Sequence, residues 1–180
     1  SWGGFFDETG NDFTVKNSDI MIVKTNKALK EKWLKRIDHG GHDYAHRIFP
    51  SDANHVFIAG TSQQNDERSF DFYLSKTDLD GHVIWEKFYG DTQWDILSDA
   101  CNFNDQIALL GTTKKDKSVV TLILVDKTGE IAEEITIHHT DHLESGQIHI
   151  SNNVVFIGAN TIGDHNKRIG HILQLTPESY

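Results

Sequence analysis

The sequence predicts an all-β chain built from repeated four-stranded antiparallel units, and three observations carry that expectation. A segment recurs at intervals of about 50 residues, the spacing of one supersecondary unit used several times because a single unit cannot bury its own apolar face. The fullest copy runs from Asp71 to Gly90 (DFYLSKTDLDGHVIWEKFYG), with related stretches starting at Asp19, Leu122 and His171. The apolar runs His55–Gly60, Gln106–Gly111 and Val154–Gly158 are short and rich in β-branched residues, as strands are. Each follows a polar turn, Ser51–Asn54, Asn102–Asp105 or Ser151–Asn153, where Asn and Asp tolerate left-handed backbone.

The elements follow in order. Residues Ser1 to Asn17 form a long Gly-rich loop carrying Trp2, Phe5 and Phe6. Two strands come next, around Asp19–Asn26 and Trp33–Ile37; Lys27 to Trp33 between them has the only hint of helical spacing, too short and too basic for a helix. The next copy supplies Asp43–Phe49, Val56–Thr61, Phe70–Asp78 and Val83–Tyr89, and the one after it Asp95–Phe103, Ile107–Thr112, Val119–Asp126 and Ile131–His138. The last group has Gln147–Ile150, Val154–Ala159 and Ile169–Leu175 and lacks a fourth strand. Turns this short make each group an antiparallel meander.

Four-stranded meanders with this period read as blades of a β-propeller. The segments are 1–42 (a partial blade with the long N-terminal loop), 43–90, 91–142 and 143–180 (a blade lacking its outer strand). Asp43–Phe49, Asp95–Phe103 and Gln147–Ile150 are the expected innermost strands. About three to three and a half blades do not close a ring, so the expectation is a partial ring, the C-terminal half of a larger propeller. Another polypeptide, of the same or a different chain, is then expected to supply the outer strand beside His171–Thr176.

Thr77-Asp78-Leu79-Asp80-Gly81-His82-Val83-Ile84-Trp85 resembles bacterial propeller repeats of the quinoprotein-like and WD-type pattern, in which an Asp, a Thr-Gly or Asp-Gly turn and a following Trp let the ring dock between blades. Asp126-Lys127-Thr128-Gly129 keeps the turn with Glu133 in place of the tryptophan; the first copy keeps Trp33 with Leu29 in place of the glycine. The resemblance implies the fold, a bacterial source and inter-blade packing of Trp33 and Trp85. Nothing matches a quinone cofactor site.

Composition narrows the function. Apolar residues at 37% and charged residues at 24% describe a soluble globular chain, and no apolar run reaches the length of a membrane span. A net charge of −10 with no Lys/Arg stripe repels a phosphate backbone, which argues against nucleic acid as a partner. Ser1-Trp2-Gly3-Gly4 is no secretion signal, so either a leader has been removed or the numbering starts inside a longer polypeptide; the expected location is periplasmic, secreted or cell-surface rather than cytoplasmic. The lone Cys101 reads as a small buried residue on an inner strand.

The loops joining one unit to the next hold the candidate ligand-binding residues. They are His39, His42 and Asp43; Asp91, Trp94 and Asp95; and His139 and His142. On the repeat, His39, Asp91 and His139 correspond, as do His42, Trp94 and His142. Asp43 and Asp95 are expected to hydrogen-bond backbone groups of their turns. Converging imidazoles and carboxylates suit a divalent metal, with His39, His42, His139 and His142 as its candidates, although no cofactor is required. Phe5 and Phe6 add exposed aromatics that grip a sugar or peptide. No phosphate loop, HExxH helix, GxSxG elbow or CxxC pair is present, so no catalytic residue is assigned. The expected function is a non-catalytic propeller engaging a protein, peptide or glycan through its loop face. The alternatives are an enzyme subunit with a His/Asp site, with or without a metal, over the central channel, or one chain of a split or processed propeller.

Overall fold

The structure, a computed structural model, describes residues 17–64, 69–152, 154–163 and 167–175, and the backbone of 5–6 and 12–13. Among them there is no helix, and none long and apolar enough to cross a membrane. Strands β1 (Phe5–Phe6) and β2 (Asp12–Phe13) form a short pair. Four antiparallel sheets follow, none closed on itself. The first contains β3 (Ile20–Thr25) and β4 (Glu31–Ile37). The second runs β5 (Asp43–Pro50), β6 (His55–Ser62), β7 (Asp71–Asp78) and β8 (Val83–Tyr89). The third runs β9 (Trp94–Phe103), β10 (Gln106–Lys114), β11 (Val119–Val125) and β12 (Ile131–Ile137). The fourth holds β13 (His142–Ser151), β14 (Val154–Ile162) and β15 (Arg168–Leu175). Every neighbour in a sheet is also its neighbour in sequence, as in a meander. The strand expected at Gln147–Ile150 is longer, because a bulge between Ser145 and Ile148 lets pairing continue back to His142.

Lys27 to Trp33 hold no helix: Asn26 to Lys30 make a hairpin turn and Glu31 to Trp33 open β4, and the same turn is built in three sheets. Asn26 Oδ1 accepts the Ala28 and Lys30 N–H groups at 2.8 and 3.1 Å. Asp78 Oδ1 accepts those of Asp80 and His82, both at 2.8 Å, and Asp126 Oδ1 those of Thr128 and Glu130 at 2.7 and 3.0 Å. The residue three after each acceptor is left-handed: Leu29 at φ 58°, Gly81 at 77° and Gly129 at 83°. Each turn adjoins a register shift in its hairpin, between Lys24 and Thr25, Lys76 and Thr77, and Leu124 and Val125.

The turn glycines also receive the tryptophan of the preceding sheet. A Cβ at Gly81 would fall 2.8 Å from the Trp33 ring, and one at Gly129 3.0 Å from the Trp85 ring. Tyr89 Oη donates to the Gly129 carbonyl at 2.9 Å. Both indoles sit between adjacent sheets, half-buried, because β4 and β8 are edge strands with exposed residues on either side of the tryptophan.

Both faces of the four-stranded sheets are covered. Ile58 and Tyr73 join Ile20 and Ile37 of the first sheet in one core. Phe57, Phe72 and Leu74, on the opposite face, meet Leu97, Ile107 and Leu109 of the third sheet. Leu110, Val120 and Leu122 meet Leu143, Val155 and Ile157 of the fourth. Successive residues such as Leu109 and Leu110 therefore enter different cores, as the period of a strand requires. β9 lies beside β5, β6 and β7 on one side and β13 on the other.

Leu29 carries a β-carbon in a backbone region that favours glycine, and its side chain is 83% exposed. Leu29→Gly is therefore expected to stabilise the protein by about 1 kcal/mol, less strain being partly offset by a more flexible unfolded chain. Urea unfolding of the two proteins at one temperature measures this, and an equal or lower stability of the variant contradicts it.

Candidate functional site

The connections between sheets bring the sequence-selected residues into local clusters, each with its own chemistry. In the first, His39 leaves the β4–β5 connection and lies across the second sheet. Its Nδ1 is 2.8 Å from Asp43 Oδ1 and its Nε2 3.2 Å from Glu86 Oε2. Its backbone N–H donates to Asp43 Oδ2 at 2.9 Å, and Ser62 Oγ donates to Asp43 Oδ1 at 2.5 Å. Tyr73 and Phe88 pack against the ring, each with centroids 5.0 Å away, and Tyr73 Oη donates to Glu86 at 3.2 Å. The imidazole thus touches side chains from all four strands of the sheet.

Burial works against a charge on His39, but hydrogen bonds and charges of Asp43 and Glu86 outweigh it and hold its pKa above the ordinary value. Burial likewise pushes Asp43 up, and the hydrogen bonds from His39 and Ser62 bring it below the usual carboxylate range. Ser62 approaches the same ring nitrogen as Asp43 and is fully buried. The arrangement does not present Ser62 as a nucleophile across the ring, as a catalytic triad requires; it fastens the connection to the sheet.

At the next connection Asp95 repeats the role of Asp43. Thr113 Oγ1 donates to it at 2.5 Å and the Asp91 backbone N–H donates as well. Asp91 itself is exposed and puts no ring into the sheet. Burial holds Asp95 above the usual carboxylate range despite these hydrogen bonds. At the third connection the corresponding residue is Leu143, fully apolar; His139 is exposed, its Nδ1 accepting the Asp141 N–H at 3.0 Å, with the His171 ring 5.6 Å away.

His42 and His142 are equivalent in fact as in sequence. Their Nδ1 atoms accept the Ser18 and Ser118 N–H groups at 3.2 and 3.1 Å. Trp94, at the corresponding place, sits edge-on to Phe70 at 5.3 Å. A run of rings results: His42 stacks on Tyr44 at 6.2 Å, Tyr44 lies 6.1 Å from Phe70, and Phe70 leads to Trp94, which is 51% exposed. The side chains of Phe5 and Phe6 lie outside the described residues.

Among the described residues one group brings three metal-ligating side chains within 4.8 Å, namely Asp19, Asp38 and Asp43. It includes Asp43 and none of the histidines. Arg36 pairs with both Asp19 and Asp38, the latter at 3.0 Å, and supplies a cation there.

Sequence reasoning missed Asp99, which is 3% exposed and joins three sheet-opening strands. Its Oδ1 accepts Arg47 Nε of β5 at 2.5 Å and the Ala100 N–H of β9 at 2.9 Å; its Oδ2 accepts the Ile148 N–H of β13 at 3.1 Å. An aspartate directly beside the apolar Ala100 and Cys101 of an expected inner strand was the available signal. Cys101, two residues on, is partly buried, and burial pushes its thiol up to about 11, so it is no nucleophile at neutral pH.

Asp99→Ala leaves two backbone donors and a guanidinium without their acceptor. It is expected to cost about 2–4 kcal/mol in urea unfolding, and a cost below about 1 kcal/mol would place the acceptor elsewhere. The His39 knot sets a pH dependence. His39, raised above 6.5, stabilises most fully below that pH and loses its contribution as pH climbs through the raised pKa. Asp43, lowered below 3.8, contributes above that pH and loses its contribution as pH falls through the lowered pKa. The stability difference between the protein and its His39→Gln variant is therefore largest between these two values and shrinks on the alkaline side. A difference that stays level or grows with alkaline pH overturns the assignment.

No protein-family model matches the chain, and no curated protein matches it in sequence.

Proposed function

We propose that the four sheets are consecutive blades of a β-propeller, and that the chain is a non-catalytic binding domain engaging a protein, peptide or glycan through its loop face. Support for the blades comes from the repeated junctions. The N–H groups of Asp43, Asp95 and Leu143 donate to the Ser18, Phe70 and Ser118 carbonyls of the preceding sheets at 2.6, 2.7 and 2.9 Å. Thr61 and Thr112 hydroxyls accept the Leu97 and Ser145 N–H groups of the following ones at 3.0 and 2.9 Å. Stacking sheets by one repeated contact is the propeller principle. A further polypeptide would complete such a ring along the open edge of β15.

The run of rings ending at half-exposed Trp94 carries the binding reading. Tyr44, Phe70 and Trp94 come from the loop ends of two adjacent sheets and are held in place by strands. Rigid aromatics with one free face supply contact area at little entropic cost to a sugar ring, a proline or an aliphatic side chain. The polar groups beside them are spent on structure: Asp43 and Asp95 on the connections, His42 on Ser18.

Glycan and peptide arrays probed with the protein and with its Trp94→Ala variant test this reading. The variant is expected to keep its unfolding midpoint, since Trp94 is exposed, and to lose binding by about 2 kcal/mol or more, the loss typical of an aromatic hot spot. Ligands retained equally by both proteins would move the binding face elsewhere.

A further inference from the structure

Between the second and third sheets lies a cavity of about 190 Å3, walled by Asp95, Thr113, Thr121, Glu134 and Thr136 among others. Position for position, these are the counterparts of the residues around the His39 ring one sheet earlier: Asp43, Ser62, Tyr73, Glu86 and Phe88. The correspondence is fixed by shared hydrogen bonds. Asp43 takes a Ser62 hydroxyl and the His39 N–H; Asp95 takes a Thr113 hydroxyl and the Asp91 N–H. Tyr73↔Phe88 and Thr121↔Thr136 are the matching cross-strand pairs.

What differs is the filling. Asp91 stands where His39 would be and leaves its side chain exposed at the cavity wall. The rings of Tyr73 and Phe88 become the small hydroxyl side chains of Thr121 and Thr136. Three rings are gone, while the three groups that hold the imidazole and its carboxylate partner persist as Asp95, Thr113 and Glu134. The space opens to solvent along β12, where Glu134 and Thr136 are exposed.

We propose that this cavity binds a small planar nitrogen cation of the imidazolium type, seated between Asp95 and Glu134 as the His39 ring is seated between Asp43 and Glu86. An imidazolium carries N–H donors on opposite edges and needs an acceptor on each side, which two carboxylates across a gap provide. A compact ring also fits a hole left by rings better than a flexible ammonium does. The paired carboxylates respond accordingly: Asp43, beside its imidazole, is held below the usual range, whereas burial holds Asp95 above it. Asp91 adds negative charge at the wall, and Lys115 is the one cation of the lining. The cavity and the aromatic run are separate features, so this inference stands without the loop-face reading.

The test is a titration of the 15N-labelled chain with imidazole at about pH 6, where imidazole is largely protonated. Saturable shifts centred on the amides of Asp95, Thr121 and Thr136 are expected. Asp91→His should fill the cavity with its own ring, raise the unfolding midpoint and abolish the response. Glu134→Gln should weaken binding by about tenfold or more, the loss of a charged hydrogen-bond partner. Should Asp91→His fail to fold, Thr136→Phe, which restores the ring found at Phe88, provides the same filled-cavity control. A blocked histidine amide run in parallel separates the sources: binding as tight as that of imidazole identifies a histidine side chain of a peptide, and weaker binding a free small molecule. No saturable response to imidazole, or one unchanged when the cavity is filled, overturns the proposal.

Discussion

At the start of β5, β9 and β13 one residue gives its N–H to a carbonyl of the sheet before, and the rest of the molecule is built around that hydrogen bond. Asp43, Asp95 and Leu143 all make it, to Ser18, Phe70 and Ser118. A sheet covered on both faces has few ways to satisfy polar backbone at its ends, and a bond left unmade there costs more than one made gains. Once the bond is made, the stagger of one sheet over the next is set. The tryptophan of one sheet then reaches the turn of the following one, as Trp33 reaches Gly81 and Trp85 reaches Gly129.

Within that constant frame the junctions differ in content. One holds a histidine between two carboxylates, the next a carboxylate beside a cavity, and the third leucine in place of the carboxylate. The differences reside in side chains that the frame does not need. His39 and Asp91 can differ because both offer the same backbone N–H to the following aspartate. The repeated architecture therefore leaves one chemically free position at each of the first two connections, flanked by the same carboxylate and hydroxyl.

The strands were legible because both of their signals are local: β-branched runs of six to eight or so residues and turns with Asn, Asp and Gly. The recurring Asp–Gly turn even exposed its own exception, since Leu29 occupies the left-handed position that Gly81 and Gly129 take elsewhere. The structural roles of Asp43 and Asp95 were legible for the same reason, each serving the connection just before it. The pairing of His42 with Ser18 was not, nor was the three-strand reach of Asp99, because their partners lie in other sheets. Similarity between loops suggested convergent ligands; the geometry places them in successive junctions, where the Nδ1 atom of each of the four histidines finds a local partner. The cavity beside Asp95 was invisible in the sequence because it is defined by rings missing from three separate elements.

The half-buried indoles have an optical consequence. Trp33 lies between the first and second sheets, Trp85 between the second and third, and Trp94 on the loop ends. Emission from an indole shifts to the red as water reaches it, so Trp33 reports on the first boundary, and Trp85 and Trp94 on two parts of the second. Proteins that keep one of them at a time would reveal whether the sheets separate together or peel away in sequence. In a stack held by nearest-neighbour contacts, the order of those colour changes is a direct readout of which boundary is weakest.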